Sequence, residues 1–145
     1  MNKFLITLIF LSSFALADEY LDTTTIYFDN TDIIKVHKIY FNKTKPYKFI
    51  RYHMNGQVDM VKTFDINVKK DFVLTNVKIY SPEGILTQET PFKFGCISGV
   101  EKLYYESGEI YEINIYANRG QHISTTRFYR SGEIAFIEAF EIDEI

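Results

Sequence analysis

The sequence predicts a single all-β domain, an antiparallel meander of tandem β-hairpin repeats, and three observations support this prediction. Aromatic residues make up 17% of the chain without a single Trp, and β-branched residues are frequent, which suits half-buried pleated surfaces. Side-chain character alternates along the chain: Tyr111, Ile113 and Ile115 face one way, whereas Glu112 and Asn114 face the other. Glycine turn signals recur at a fixed spacing, which is typical of repeated supersecondary units.

Residues 1–17 are predicted to be a secretory signal peptide and not part of the fold. Lys3 gives a positive start, an apolar run follows, and small residues stand at Ala15 and Ala17. The run is too short for a membrane-spanning helix, which needs about 20 residues. We therefore expect cleavage after Ala17, a β-hairpin repeat domain of residues 18–145, and a periplasmic or secreted protein. The short leader and the Lys, Ile, Asn and Phe usage are typical of bacteria.

Charge and cysteine content exclude some partners and constrain the fold. The formal net charge is −3, and loss of the leader removes one Lys and no acid, so general affinity for nucleic acid is not expected. Cys96 is the only cysteine, so no intramolecular disulfide can form and the domain must be stabilised by packing. We expect Cys96 to be a half-buried thiol that packs as a small hydrophobe, although intermolecular pairing or redox sensing stays open.

The repeat is defined by the turn glycines, which we take to be repeat positions. They are Gly56, Gly84, Gly108, Gly120 and Gly132. Gly84, Gly108 and Gly132 are 24 residues apart, and Gly120 lies midway between the last two. Gly56 precedes Gly84 by 28 residues, which predicts inserted residues near positions 68–71. Each 24-residue unit should be one hairpin, because short connections allow only antiparallel neighbours, and we expect eight to ten strands.

The last predicted strand is apolar on both sides. Phe136, Glu138 and Phe140 lie on one side, and Ala135, Ile137 and Ala139 lie on the other. A strand of this pattern is expected to be partly covered on both of its faces.

These motifs resemble the bacterial variant of MORN repeats. The resemblance rests on Tyr104–Glu109, on Asn118–Gly120 and on Phe128–Glu133, and it covers the chain well only from Phe94 onward. It implies a β-hairpin repeat fold, and members of the group are often labelled the antitoxin component of a toxin–antitoxin system. The chain departs from the pattern at Ile123, where a further copy would have glycine.

No residue pattern predicts catalysis, a metal site or a cofactor. Glu109 and Glu133 occupy equivalent places after two turns, so the repeat itself accounts for them as solvated side chains. His37, His53 and His122 lack a further His or Cys at metal-ligand spacing. We therefore expect a protein that is not an enzyme.

A basic–aromatic segment is the most suggestive candidate surface. Between Ile33 and Val58 the chain interleaves cationic and aromatic residues, whereas no base follows Arg130 and the C-terminal end is acidic. The candidate surface for an anionic ligand or partner comprises Lys35, Lys38, Tyr40, Lys43, Lys45, Tyr47, Lys48 and Arg51. It could contact anionic lipid headgroups, an acidic glycan or an acidic protein face, or it could be an ordinary solvated strand surface.

The function expected from the sequence is a non-enzymatic binding or scaffolding surface for a protein or an envelope component. The alternative is an immunity- or antitoxin-like protein that neutralises a partner toxin. Self-association also stays open, because exposed sheet edges favour pairing between strands. No integral membrane segment is expected after cleavage of the leader.

Overall fold

The computed structural model describes residues 21–41, 45–67, 69 and 71–141, and the predicted signal peptide lies outside them. Within these residues the chain forms one open antiparallel sheet whose strands follow in chain order, so the predicted all-β meander and its single domain are confirmed. No helix in this part of the chain is long and apolar enough to cross a bilayer.

The described residues form eleven strands, joined by short turns. They are β1 (Leu21–Tyr27), β2 (Ile34–Phe41), β3 (Lys45–Tyr52), β4 (Val58–Ile66), β5 (Phe72–Tyr80), β6 (Leu86–Lys93), β7 (Cys96–Ile97), β8 (Gly99–Tyr104), β9 (Ile110–Tyr116), β10 (His122–Phe128) and β11 (Ile134–Ala139). The sheet order is β1-β2-β3-β4-β5-β6-β8-β9-β10-β11. The described residues contain one strand more than the upper limit of the expected eight to ten, because the two-residue β7 folds back on the end of β6.

The turn glycines have the structural role that the repeat predicts. Gly56, Gly84, Gly108 and Gly132 all have positive φ in turns at one end of the sheet, and Gly120 lies in a turn at the other end. At Gly108, whose φ is 97°, a side chain would strain the backbone, so glycine fits this position best. The turn is closed by the Gly108 N–H donating to Tyr105 O at 2.9 Å and the Tyr105 N–H donating to Glu109 O at 2.8 Å.

A one-residue bulge next to each turn at the Gly108 end of the sheet, including the β1–β2 turn, accounts for the repeated aromatics. In each hairpin the register shifts so that an aromatic residue at the end of one strand pairs with an aliphatic residue at the start of the next. The pairs are Tyr27–Ile34, Tyr52–Val58, Tyr80–Leu86, Tyr104–Ile110 and Phe128–Ile134. Aromatic–aliphatic cross-strand pairs stabilise a sheet, so the motif places a packing contact beside each turn.

The spacing of 28 residues between Gly56 and Gly84 also has a structural explanation. Strands β4 and β5 have nine residues each, and Asn67 and Asp71 close the turn between them. The longer hairpin accommodates the inserted residues, of which Val68 and Lys70 lie outside the described part of the chain.

Alternation along the paired strands assigns side chains to two faces. We define the front face by its central row, which is Thr24, Lys38, Phe49, Lys62, Val77, Thr90, Glu101, Asn114, Thr125 and Glu138. The back face is defined by the row Thr25, His37, Ile50, Val61, Lys78, Glu89, Lys102, Ile113, Thr126 and Ile137. Each row crosses the whole sheet without changing face.

Burial in this sheet differs from that of a two-layer domain. Val36, 8% exposed, is the only buried apolar residue among those described, because no second layer covers either face. All six residues of β11 are exposed, so the expectation that both of its faces are partly covered is wrong. Its apolar pattern is that of a covered strand, but β10 is its only neighbour among the described residues.

Candidate functional site

The predicted basic–aromatic surface is divided between the two faces. Lys38 and Arg51 lie on the front face, whereas Lys48 pairs with Ile39 and Thr63 on the back face. The Lys35 ammonium lies 5.5 Å from the ring centroid of Phe28 beside the first turn. Tyr40 lies half-buried in β2 and Tyr47 exposed in β3, while Lys43 and the side chain of Lys45 lie outside what the structure describes. Neighbours in sequence therefore do not form one surface here.

The register creates a smaller cationic cluster that the sequence did not reveal. On the front face, Lys38 and Lys62 flank Phe49 from the two neighbouring strands. The Lys62 ammonium lies 6.0 Å from the centroid of the Phe49 ring, at the outer limit of a cation–π contact. We name Lys38, Phe49 and Lys62 the cationic ladder. Lys62 follows Val58 by four residues, so only the pairing of β3 with β4 could bring it to this cluster.

The charge of Arg51 is partly compensated within the sheet. Its Nε donates to Asp59 Oδ2, and the His53 Nε2 lies 3.7 Å from Asp59 Oδ1. His53 Nε2 also lies 3.0 Å from Tyr80 O, which links the second hairpin to the third. His53 therefore connects the second hairpin to the third, whereas the Arg51–Asp59 contact lies within the second hairpin.

On the front face, the second half of the sheet carries a buried polar network. Glu101 is 6% exposed, and its carboxylate accepts hydrogen bonds from Thr90 Oγ1 at 2.8 Å, Gln88 Nε2 at 3.0 Å and Asn114 Nδ2 at 3.2 Å. Asn114 Oδ1 in turn accepts from Thr125 Oγ1 at 2.6 Å. The chain of hydrogen bonds crosses β6, β8, β9 and β10, and no buried side-chain polar atom in the described residues lacks a partner. Such a network is self-contained and fixes the register of these four strands.

Glu112 connects this network to a cation. Its carboxylate accepts from Asn114 Nδ2 at 2.9 Å and from Arg127 Nε at 2.5 Å. Burial alone would raise the pKa of Glu112, but the hydrogen bonds from Arg127 and Asn114 outweigh it and hold the pKa below its ordinary value. Glu112 is therefore ionised at neutral pH, and its carboxylate is held by hydrogen bonds from Asn114 and Arg127.

The three histidines lie apart from one another and each has its own partner. The His37 Nδ1 lies 3.0 Å from Tyr52 Oη on the back face, where burial raises the pKa of Tyr52. His122 stacks on Tyr116 at 4.8 Å between ring centroids and contacts Phe140 at 4.4 Å. No group of three or more His, Cys, Asp or Glu side chains in the described ranges is placed to hold a metal ion.

The remaining predicted positions are also structural. Cys96 lies half-buried in β7, and a side-chain carbon at Gly120 would lie 3.7 Å from its Cβ. Glu109 is exposed, and its pKa is lowered by a hydrogen bond from Ser107. Ser131 and Glu133 repeat this arrangement, with 3.5 Å between Oγ and Oε2. The repeat thus accounts for both glutamates.

The second candidate surface is the open edge formed by β11. Phe136 projects on the front face and Ile137 on the back face, and Ile137 is 62% exposed. Ile134 and Phe140 are also exposed beside them. Glu138 is the only charged residue within the strand, so this edge is apolar on both faces and mildly acidic.

Comparisons with known proteins leave the family open. No family model matches the sequence, and no curated protein matches it. The fold is similar to part of a GtfA/B complex solved with UDP and GlcNAc, at 11% identity and a TM-score of 0.30, over 86% of this chain and 28% of that one. It is also similar to a protein of unknown function from Bacteroides fragilis NCTC 9343, at 12% identity and a TM-score of 0.28, over 84% of this chain and 93% of that one. The resemblance to MORN-variant repeats stays a prediction.

Proposed function

We propose that the chain is a non-enzymatic, exported repeat protein whose sheet acts as a binding or scaffolding surface for a protein or an envelope component. The observation that carries this proposal is β11, an edge strand that is apolar on both faces and exposed along its whole length. Exposed apolar surface at an unpaired edge is typical of a site for strand pairing.

The two candidate surfaces differ in the partners they favour. An open edge offers backbone N–H and C=O groups, so a protein strand that adds to the sheet gains both hydrogen bonds and side-chain contacts. The cationic ladder instead favours phosphate or carboxylate groups, with a binding strength that falls as salt rises. We place the principal site at the β11 edge, because it combines apolar area with backbone groups that no described strand pairs.

Paired variants of the full chain separate these sites. The tagged protein is incubated with an envelope extract of its source, and bound material is identified by mass spectrometry. We expect a stoichiometric protein partner that is lost when Phe136 and Ile137 are both changed to Ser and is kept when Lys38 and Lys62 are both changed to Glu. Lys69→Glu, in an exposed turn, is the matched charge control.

Two results would contradict the proposal. If the wild type, the Phe136/Ile137 variant and the Lys38/Lys62 variant all recover the same bound material, neither surface binds it. If only anionic lipid or glycan is recovered and the ladder variant abolishes it, the principal site is the cationic ladder and the β11 assignment is wrong.

The alternative, an immunity- or antitoxin-like role, rests on the MORN-variant resemblance and on the acidic character of the β11 edge. It requires a toxic protein in a neighbouring reading frame that becomes harmless when both are expressed. If the double variant Phe136→Ser, Ile137→Ser no longer protects the host from that protein, the partner at the β11 edge is a toxin. If no adjacent reading frame encodes a toxic protein, this role is contradicted.

Export is proposed on the leader alone. The mass of protein recovered from the host envelope should correspond to residues 18–145, and a mass that retains residues 1–17 would contradict cleavage after Ala17.

A further inference from the structure

We propose that the partner at the β11 edge is a second copy of this chain, whose β1 pairs antiparallel with β11 so that copies add head to tail. This inference deepens the proposed function and rests on it. It assigns the occupant of the edge from strand parity, hydrogen-bond direction and side-chain register.

Strand parity makes the two ends of the sheet compatible. The path from β1 to β11 contains ten strands, each antiparallel to the next, so β11 runs opposite to β1. A copy displaced along the sheet therefore presents its β1 antiparallel to β11, with its front face on the same side. An odd number of strands would have required parallel pairing or a reversed face.

The backbone groups that point outward also match. Directly after β11, the Phe140 N–H donates to Ile123 O of β10 at 2.8 Å. Because directions alternate along an extended chain, Ile137 points its N–H and C=O outward. Directly after β1, the Phe28 N–H donates to Ile33 O at 3.0 Å, so by the same alternation Thr25 points outward. An antiparallel hydrogen-bonded residue pair requires two outward-pointing residues opposite each other. Ile137 of one copy and Thr25 of the next can form such a pair.

Continuation of the rows sets the register. Placing Ile137 opposite Thr25 puts Phe136 opposite Ile26, and these side chains share the front face and are 43% and 41% exposed in the single chain. The same register puts Glu138 opposite Thr24, whose inner neighbour is Lys38. A shift by one residue would place an outward-pointing residue opposite an inward-pointing one and would separate the apolar pair.

Charge favours head-to-tail over tail-to-tail pairing. Two β11 edges brought together would place two acidic segments side by side, because no base follows Arg130 in the sequence. In the head-to-tail contact Glu138 instead approaches Lys38 of the next copy across the small Thr24. Neither β1 nor β11 contains Pro or Lys, the residues with which exposed edges are commonly blocked.

The test uses the protein purified after expression of the full chain, studied alone by sedimentation velocity over a wide concentration range. We expect the average mass to rise past that of a dimer, because a head-to-tail contact does not close on itself. Ile137→Pro and Thr25→Pro each remove one outward N–H, so each variant alone should stay monomeric. Their equimolar mixture should form dimers and nothing larger, because one intact edge remains on each protein.

Unchanged circular dichroism shows that the proline variants keep the sheet. Ile137→Lys with Thr25→Lys gives the same mixing test without proline, because the two altered edges repel each other. A wild-type protein that stays monomeric overturns the proposal. A dimer that stops at two copies and survives Thr25→Pro overturns it in favour of tail-to-tail pairing. Either result leaves the proposed function standing if the envelope extract still yields a partner that depends on Phe136 and Ile137.

Discussion

Removal of the Arg127 guanidinium tests whether the buried polar network stabilises the sheet. Arg127→Met keeps most of the side-chain volume but deletes the donor that lies 2.5 Å from Glu112 Oε2. A hydrogen bond to a charged group contributes about 1.5–3 kcal/mol. The Arg127 side chain is 49% exposed, so solvent screening reduces the expected loss to about 1–2 kcal/mol.

The loss should depend on pH in a defined direction. The pKa of Glu112 is lowered in the folded protein, so its contribution to stability is fully present above the ordinary carboxyl pKa and is lost as pH falls through the folded value. In Arg127→Met, burial of Glu112 is no longer opposed by the guanidinium, and its pKa should rise. The free-energy difference between the two proteins is therefore greatest at neutral pH and shrinks in acid.

Urea unfolding of the wild type and the variant at neutral and acidic pH measures this difference. Arg130→Met is the matched control, because its guanidinium lies 5.2 Å from the Tyr105 ring centroid instead of beside a buried carboxylate. The control should cost about 0.5–1 kcal/mol at both pH values. A loss for Arg127→Met that is the same at both pH values would refute the role given to Glu112.

Three further predictions concern the frame of the sheet. Glu101→Ala should lower the free energy of unfolding by about 3 kcal/mol, since it leaves buried donors without an acceptor. Glu106→Ala in an exposed turn should change it little, and equal effects of the two substitutions in urea unfolding would contradict the role of the network. Tyr105→Phe should lower the free energy of unfolding by about 1 kcal/mol, because the Tyr105 hydroxyl donates to a backbone oxygen of β10 at 2.7 Å. Tyr129→Phe is the exposed control, and equal thermal stability of the two variants would exclude this contribution. Amide hydrogen exchange at low protein concentration should be slowest in β8 and β9 and fastest in β11; uniform protection would show that the sheet opens only as one unit.

The hairpin frame could be predicted from the sequence because its determinants are local. A glycine with positive φ, an aromatic residue before the turn and an aliphatic residue after it lie within a few residues of one another, as at Tyr104, Gly108 and Ile110. The spacing of these motifs then gives the order of the hairpins. The meander follows, because short turns leave no other connection.

The direction of burial could not be predicted in the same way. Alternation separates Glu112 and Asn114 from Ile113 and Ile115, but it does not say which side is covered. In this sheet the polar pair is buried and Ile115 is exposed, because coverage comes from neighbouring side chains in the same rows and not from a second layer. The usual inference from an apolar side to a buried side requires that second layer.

The structure divides the predicted basic–aromatic segment between two faces for a related reason. Consecutive strand residues point to opposite faces, so Lys48 and Phe49 of one basic run belong to different surfaces. The residue that completes the ladder, Lys62, belongs to the next strand and is found only once the register is known. A candidate surface in a meander is therefore a property of cross-strand rows and not of sequence segments.

The same rows explain why the proposed interaction site lies at the end of the sheet. A slip of one residue would turn Glu101 and Asn114 to the opposite face and break their hydrogen bonds, so the network specifies the pairing of β6 through β10. Phe136 and Ile137 have described neighbours on the β10 side alone, including the Arg127 guanidinium 5.6 Å from the Phe136 ring centroid. Their alternation is nevertheless that of a strand covered on both sides. Elements that bind are usually drawn from the less stable parts of a structure. In the proposed contact, the well-specified strands form the platform, and β11 gains further contacts from the strand that pairs with it.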